Sequence, residues 1–206
     1  MNKRDLLLVT GIGALVGILV QPIIANVIRD IHNVIPAPIG VIRTGSFVLF
    51  LLLAPFALFA AAQIGRFVPV IYQFAKFAAV GTLNSFVDLG VFNLETFLLG
   101  TLPTDITFAV FKAISFFIAT TNSYVWNKYW TFGVTRTPEA NEVVKFYSIA
   151  IAGGFLNVGV ATLVKIAGGP AVISPELWIN VIAPIAGIFS VFIWNFMGYK
   201  FFVFKR

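Results

Sequence analysis

Apolar residues fall into six long runs, and what separates them is short and polar. The runs cover residues 6–28, 47–64, 77–99, 106–126, 144–166 and 177–197. They are continuous, without the alternation of period two that marks the strands of a closed barrel, so they predict helices. Each approaches or exceeds the ~20 residues that carry a helix across ~30 Å of hydrocarbon. The pattern therefore predicts an all-α integral membrane protein of about six transmembrane helices.

The interruptions add detail. Lys3 and Arg4 precede the first run, as they would in a signal peptide, but its 23 residues exceed an apolar core of about 7 to 15 and favour a membrane helix. Within it, Gly11, Gly13 and Gly17 lack the preceding strand and final spacing of a dinucleotide fingerprint. Gly13 and Gly17 instead suit the close approach of a second helix. Residues 29–46 mix charge, prolines and glycines, which predicts a loop with a piece lying in the interface, and His32 within it reads as exposed. Pro55 can kink the second run. Arg66, Gln73 and Lys76 mark one face of a short amphipathic turn on the cytoplasmic surface. The polar stretch 133–142 is the clearest boundary in the chain.

The last four runs are one pattern written twice. KFAAVGTLNSFVDLGV (76–91) aligns without gaps onto KFYSIAIAGGFLNVGV (145–160) at an offset of 69, and SYVWNKYWTF (123–132) returns as NFMGYKFFVF (195–204) at an offset of 72. Each copy ends in an aromatic-rich segment with one lysine, Lys128 or Lys200, as expected where a helix leaves the bilayer on the cytoplasmic side. Two spans per copy give both copies the same orientation, related by a pseudo-two-fold axis along the membrane normal.

Composition narrows the function. The chain has 206 residues, 59% of them hydrophobic and 11% charged, with a mean hydropathy of +0.96. Its charge of +6 comes from basic residues scattered at the ends of apolar runs, which suits anionic lipid and excludes a nucleic-acid partner. Absence of cysteine removes thiol chemistry, and His32 alone cannot build a metal cluster. No catalytic constellation, metal or cofactor is expected. With six spans and both termini inside, the inner side receives Lys3, Arg4, Arg66, Lys76, Lys128, Arg136, Lys145, Lys200, Lys205 and Arg206, against Arg29, Arg43 and Lys165 outside. Ten against three obeys the positive-inside rule and places both termini in the cytoplasm.

The motifs opening the third and fifth spans and closing the fourth and sixth resemble the GtrA-like family of small polytopic membrane proteins. Its members usually have four spans. The resemblance thus implies a GtrA-like membrane domain over 71–206, with repeats at 74–132 and 143–204, preceded by an additional transmembrane hairpin over 1–70. It further implies a prokaryotic cytoplasmic membrane and a flippase for polyprenyl-phosphate-linked sugars used in cell-surface polysaccharide or glycoconjugate synthesis. The implied partners are that lipid-linked sugar, membrane lipids, a glycosyltransferase and a second copy of the chain. A scaffold for the glycosyltransferase and a small ion-coupled carrier are the rival readings.

Such a substrate needs cations at headgroup level and polar groups at depth. Lys128 and Lys200, supported by Lys76 and Lys145, are the candidate phosphate ligands, and their alternative is plain interfacial anchoring. Asp88 lies 12 residues past Lys76, ~18 Å along a helix and near the midplane. Lys112 lies at similar depth on the next span, where an unpaired charge costs ~2.5 to 3.5 kcal/mol, so the two are expected to meet, as a functional pair or an architectural one. Asn84, Asn93 and Asn157, the last aligned with Asp88, could bond sugar hydroxyls or a neighbouring helix.

Overall fold

The computed structural model describes residues 1–34, 36–99, 105–170, 178 and 182–205. Among the described residues every long element is a helix: α1 (Lys3–Val34), α2 (Ile39–Ile64), α3 (Pro69–Leu99), α4 (Asp105–Trp126), α5 (Ala140–Ala167) and α6 (Ala183–Gly198). Two five-residue π-helical turns, π1 (Asn127–Thr131) and π2 (Tyr199–Val203), follow α4 and α6. By length and composition, five helices among the described residues suffice to cross a membrane. α4, with 22 residues, also reaches the required length. The protein is an all-α polytopic membrane protein.

Two expectations need correction. Residues 29–46 are not a loop: α1 continues to Val34 and α2 starts at Ile39. Proline is tolerated in the first turn of a helix, where its missing N–H would have no partner, so Pro38 starts α2 and shortens the break to a few residues. Nor is 66–76 a separate interfacial turn, because α3 runs unbroken from Pro69 for 31 residues, ~46 Å, and carries Gln73 and Lys76. The side chain of His32 and the start of the sixth run at 177 lie outside the described residues.

The chain packs as two compact units, Met1–Thr131 and Phe132–Arg206. The hairpin α1–α2 therefore shares a unit with the first repeat. Packing divides near the polar connector, between Thr131 and Phe132, and not at the 70/71 boundary that the repeat suggests.

In the first unit α1 presents Val9, Ile12 and Val16 on one face to Leu58 of α2, Val80 and Leu83 of α3 and Trp130 of π1. Gly13 and Gly17 turn to α2, as the sequence suggests. A Cβ on Gly13 would run into the Phe50 carbonyl oxygen, and one on Gly17 would stand 2.7 Å from the Phe47 ring. In lipid no water is expelled between helices, so such close approach, with its dispersion contacts, holds the pair.

The second unit is built on aromatic stacking. Phe146 of α5 lies 4.1 Å from the Tyr199 ring of π2, and Phe132 lies 5.2 Å from Phe204. Glycines again set the helix spacing: Gly153 meets Asn195, Gly187 meets Asn157, and Gly198 meets Ile149.

Candidate functional site

Helix α1 begins with Asn2, whose side-chain oxygen accepts the Asp5 N–H at 2.7 Å, an N-terminal cap that fixes the first turn. That turn aims the Asp5 carboxylate, almost fully buried, at three donors. Lys76 Nζ and Trp130 Nε1 each donate to Oδ1 at 2.8 Å, and Tyr72 Oη donates to Oδ2 at 2.8 Å. The Lys76 ammonium also lies 4.9 Å from the Tyr72 ring centre and 5.5 Å from that of Trp130. The result is a built anion seat: a cation set against two aromatic rings, and the N–H and O–H of those same rings, converge on one anion. Lys76, expected as a phosphate ligand, is neutralised by a carboxylate from α1.

A polar seam runs between α3 and α4. Asp88 pairs with Lys112 and accepts Ser115 Oγ at 2.6 Å. Further along the seam Asn122 Nδ2 donates to Asn84 Oδ1 at 2.6 Å. The expected meeting of Asp88 and Lys112 is observed, and the pair is not sealed: the lysine side chain is 45% exposed and the aspartate 24%. Asn93 donates back to its own helix at Leu89 O, 2.8 Å away, while Asn157 lies beneath Gly187 at the α5–α6 crossing.

The two π turns occupy aligned positions, since Asn127–Thr131 shifted by 72 is Tyr199–Val203. An i→i+5 bond, seen in Phe204 N–H to Tyr199 O at 2.8 Å, widens the last turn and re-aims the side chains it carries. Their lysines differ. Lys128 departs from the expected interfacial cation: it is fully buried, with Nζ 3.4 Å from Tyr124 Oη and above the Tyr124 and Tyr129 rings. Packing against those tyrosines closes it off from the surface. Lys200 is half-buried above Phe196 and Phe201, at 5.5 and 5.7 Å.

Lys145, the counterpart of Lys76, is exposed and lines a cleft of about 410 Å³ between α5 and α6–π2, with Ser148, Ile149, Trp194 and Phe202. Lys200 does not line it. Sequence reasoning missed Asp5, Tyr72, Trp130, Ser115 and Asn122. Two of these left a trace: Ser115 follows Lys112 by one helical turn, and Asp5 is an acid set against an apolar run.

The sequence model of the GtrA/DPMS transmembrane domain matches residues 76–204. The uncharacterized membrane protein YngA of Bacillus subtilis (strain 168) is 31% identical over 143 residues, covering 68% of this chain and 86% of the relative. No solved structure matches. The chain belongs to the GtrA/DPMS transmembrane-domain family, and α1–α2 lies before the matched region.

Proposed function

We propose that this member of the GtrA/DPMS transmembrane-domain family is a carrier that reorients a polyprenyl-phosphate-linked sugar across the membrane without altering it chemically. The half-open Asp88–Lys112 pair carries the reading. Charges at membrane depth are costly against lipid and are tolerated where they line a wet groove, and a half-exposed pair in such a groove can exchange its partners for sugar hydroxyls. Ser115 and the Asn84–Asn122 pair extend that polar surface along the same seam. For the phosphate the supporting cations are Lys145 and then Lys200, since Lys76 faces Asp5 and Lys128 is buried.

Both termini face the cytoplasm in this reading, so a cysteine at Thr135 reacts only with reagents on that side. The decisive measurement is flipping of a fluorescent lipid-linked sugar in reconstituted vesicles. Asp88→Asn and Lys112→Gln are each expected to slow it by about tenfold or more, as loss of a charged hydrogen bond would. Full-rate flipping in both variants would remove the carrier reading. A protein that only scaffolds a glycosyltransferase would show no flipping while still recruiting that enzyme.

A further inference from the structure

The internal repeat supplies a template for one of its own surfaces. Eight residues line the cleft between α5 and α6–π2, and the offsets of 69 and 72 map them onto positions in the first repeat. Six of those eight counterparts hold α1. Lys76, the counterpart of Lys145, takes the Asp5 carboxylate. Ala75, Ala79, Val80, Trp126 and Trp130 belong to or pack on the apolar cluster containing Val9, Ile12 and Val16 of α1. On the first repeat this surface is therefore a seat for an anion followed by an apolar stem.

On the second repeat the same surface is open. Phe202 is 69% exposed where its counterpart Trp130 is 6% exposed. Among the described residues no carboxylate pairs with Lys145. One substitution alters the shape of the seat. Trp194 replaces Asn122, and its indole N–H reaches across to the Ile149 carbonyl at 3.1 Å, at the position where Val80 meets the α1 cluster. The indole narrows the seat between α5 and α6, where a helix about 10 Å wide with its side chains would meet it and an unbranched hydrocarbon chain passes.

We propose that this cleft is a lipid site, with Lys145 holding the phosphate of an isoprenoid lipid and the α5–α6 wall holding its chain. In this view the Asp5 end of α1 is a permanent protein imitation of that ligand on the first repeat. The proposal rests on the carrier reading for the chemistry of the lipid, and not for the existence of the seat.

The test uses the full chain in phosphatidylcholine nanodiscs with farnesyl phosphate as probe, counted by native mass spectrometry. Wild type is expected to bind it in preference to farnesol. Lys145→Gln should weaken binding by about tenfold, the scale of one charge-assisted contact. Ser148→Trp, at an exposed lining position, should fill the cleft and abolish binding with the melting temperature unchanged. Unaltered binding in both Lys145→Gln and Ser148→Trp would overturn the proposal. So would self-association that Ser148→Trp removes while the wild type ignores the probe, since the cleft would then seat a second copy. Cleft-dependent binding without flipping keeps the site and removes the carrier reading.

Discussion

The two hairpins start from one pattern and end in the same π turn, yet they present opposite surfaces. In the first, the lysine that opens the repeat is half-buried against Asp5, Tyr72 and Trp130, and α1 covers the helix behind it. In the second, the equivalent lysine is open beside an apolar cleft. The first hairpin carries the charged seam at depth, and the second has Asn157 and Gly187 at the corresponding level. The same sequence pattern thus carries a covered surface and a polar seam in the first hairpin, and an exposed apolar cleft in the second.

The largest expected effect comes from breaking the feature present on one side alone. Asp5→Ala leaves the Lys76 ammonium and two donors without their shared acceptor, and removing one partner of a buried pair costs about 3 to 5 kcal/mol. Lys145→Gln, the matching charge loss on the open copy, should leave stability unchanged. Thermal melting in detergent compares the two directly. A double Asp5→Asn, Lys76→Gln variant that recovers part of the loss would locate the cost in the uncompensated charge. Equal melting of Asp5→Ala and wild type would dissolve the distinction between the hairpins.

Next in size is an exchange that makes the first repeat read like the second. Trp130→Phe installs the residue found at Phe202, keeps most of the ring area and deletes the N–H to Asp5. A hydrogen bond to a charged group contributes about 1.5 to 3 kcal/mol, and a loss of that order is expected in chemical or thermal denaturation. Phe202→Trp, on the exposed side, should change little. Comparable losses from both would mean that the second cleft is packed more tightly than its exposure indicates.

What was legible in the sequence follows from the range of the forces involved. Spans are legible because solvation by lipid acts residue by residue, and the Asp88–Lys112 pair because helix rise alone places both at one depth. Gly13 and Gly17 could be read because close approach needs small residues wherever the partner is. The anion seat could not, since it joins Asp5 to residues 71 and 125 positions away and only packing brings them together. Asp5 beside Lys3 and Arg4 looks like an ordinary charged flank. The π turns left no local signal either, apart from recurring at aligned positions. The misread loop at 29–46 reflects counting prolines without weighing where in a helix they stand: Pro38 begins one.

The smallest effect isolates backbone packing from charge. Gly90 of α3 and Gly159 of α5 are the same position in the two copies, separated by the offset of 69. A Cβ on Gly90 would lie 3.1 Å from both the Leu19 carbonyl oxygen and its side chain, so α1 must move by a few tenths of an ångström to admit it. On Gly159 a Cβ would meet nothing within 4 Å. Alanine is favoured over glycine inside a helix by about 0.8 to 1 kcal/mol at both sites, because glycine loses more backbone freedom on ordering. At Gly159 that gain is unopposed, and Gly159→Ala should raise stability by about that amount. At Gly90 the displaced helix opposes it, and Gly90→Ala should be neutral or destabilising by up to about 1 kcal/mol. The quantity to measure is the difference between the two variants, in which the common propensity term cancels and only the presence of α1 is left. Equal gains at both sites would show that α1 does not bear on α3 at Leu19, and the covered hairpin would then owe its closure to Asp5 and the face of Val9, Ile12 and Val16.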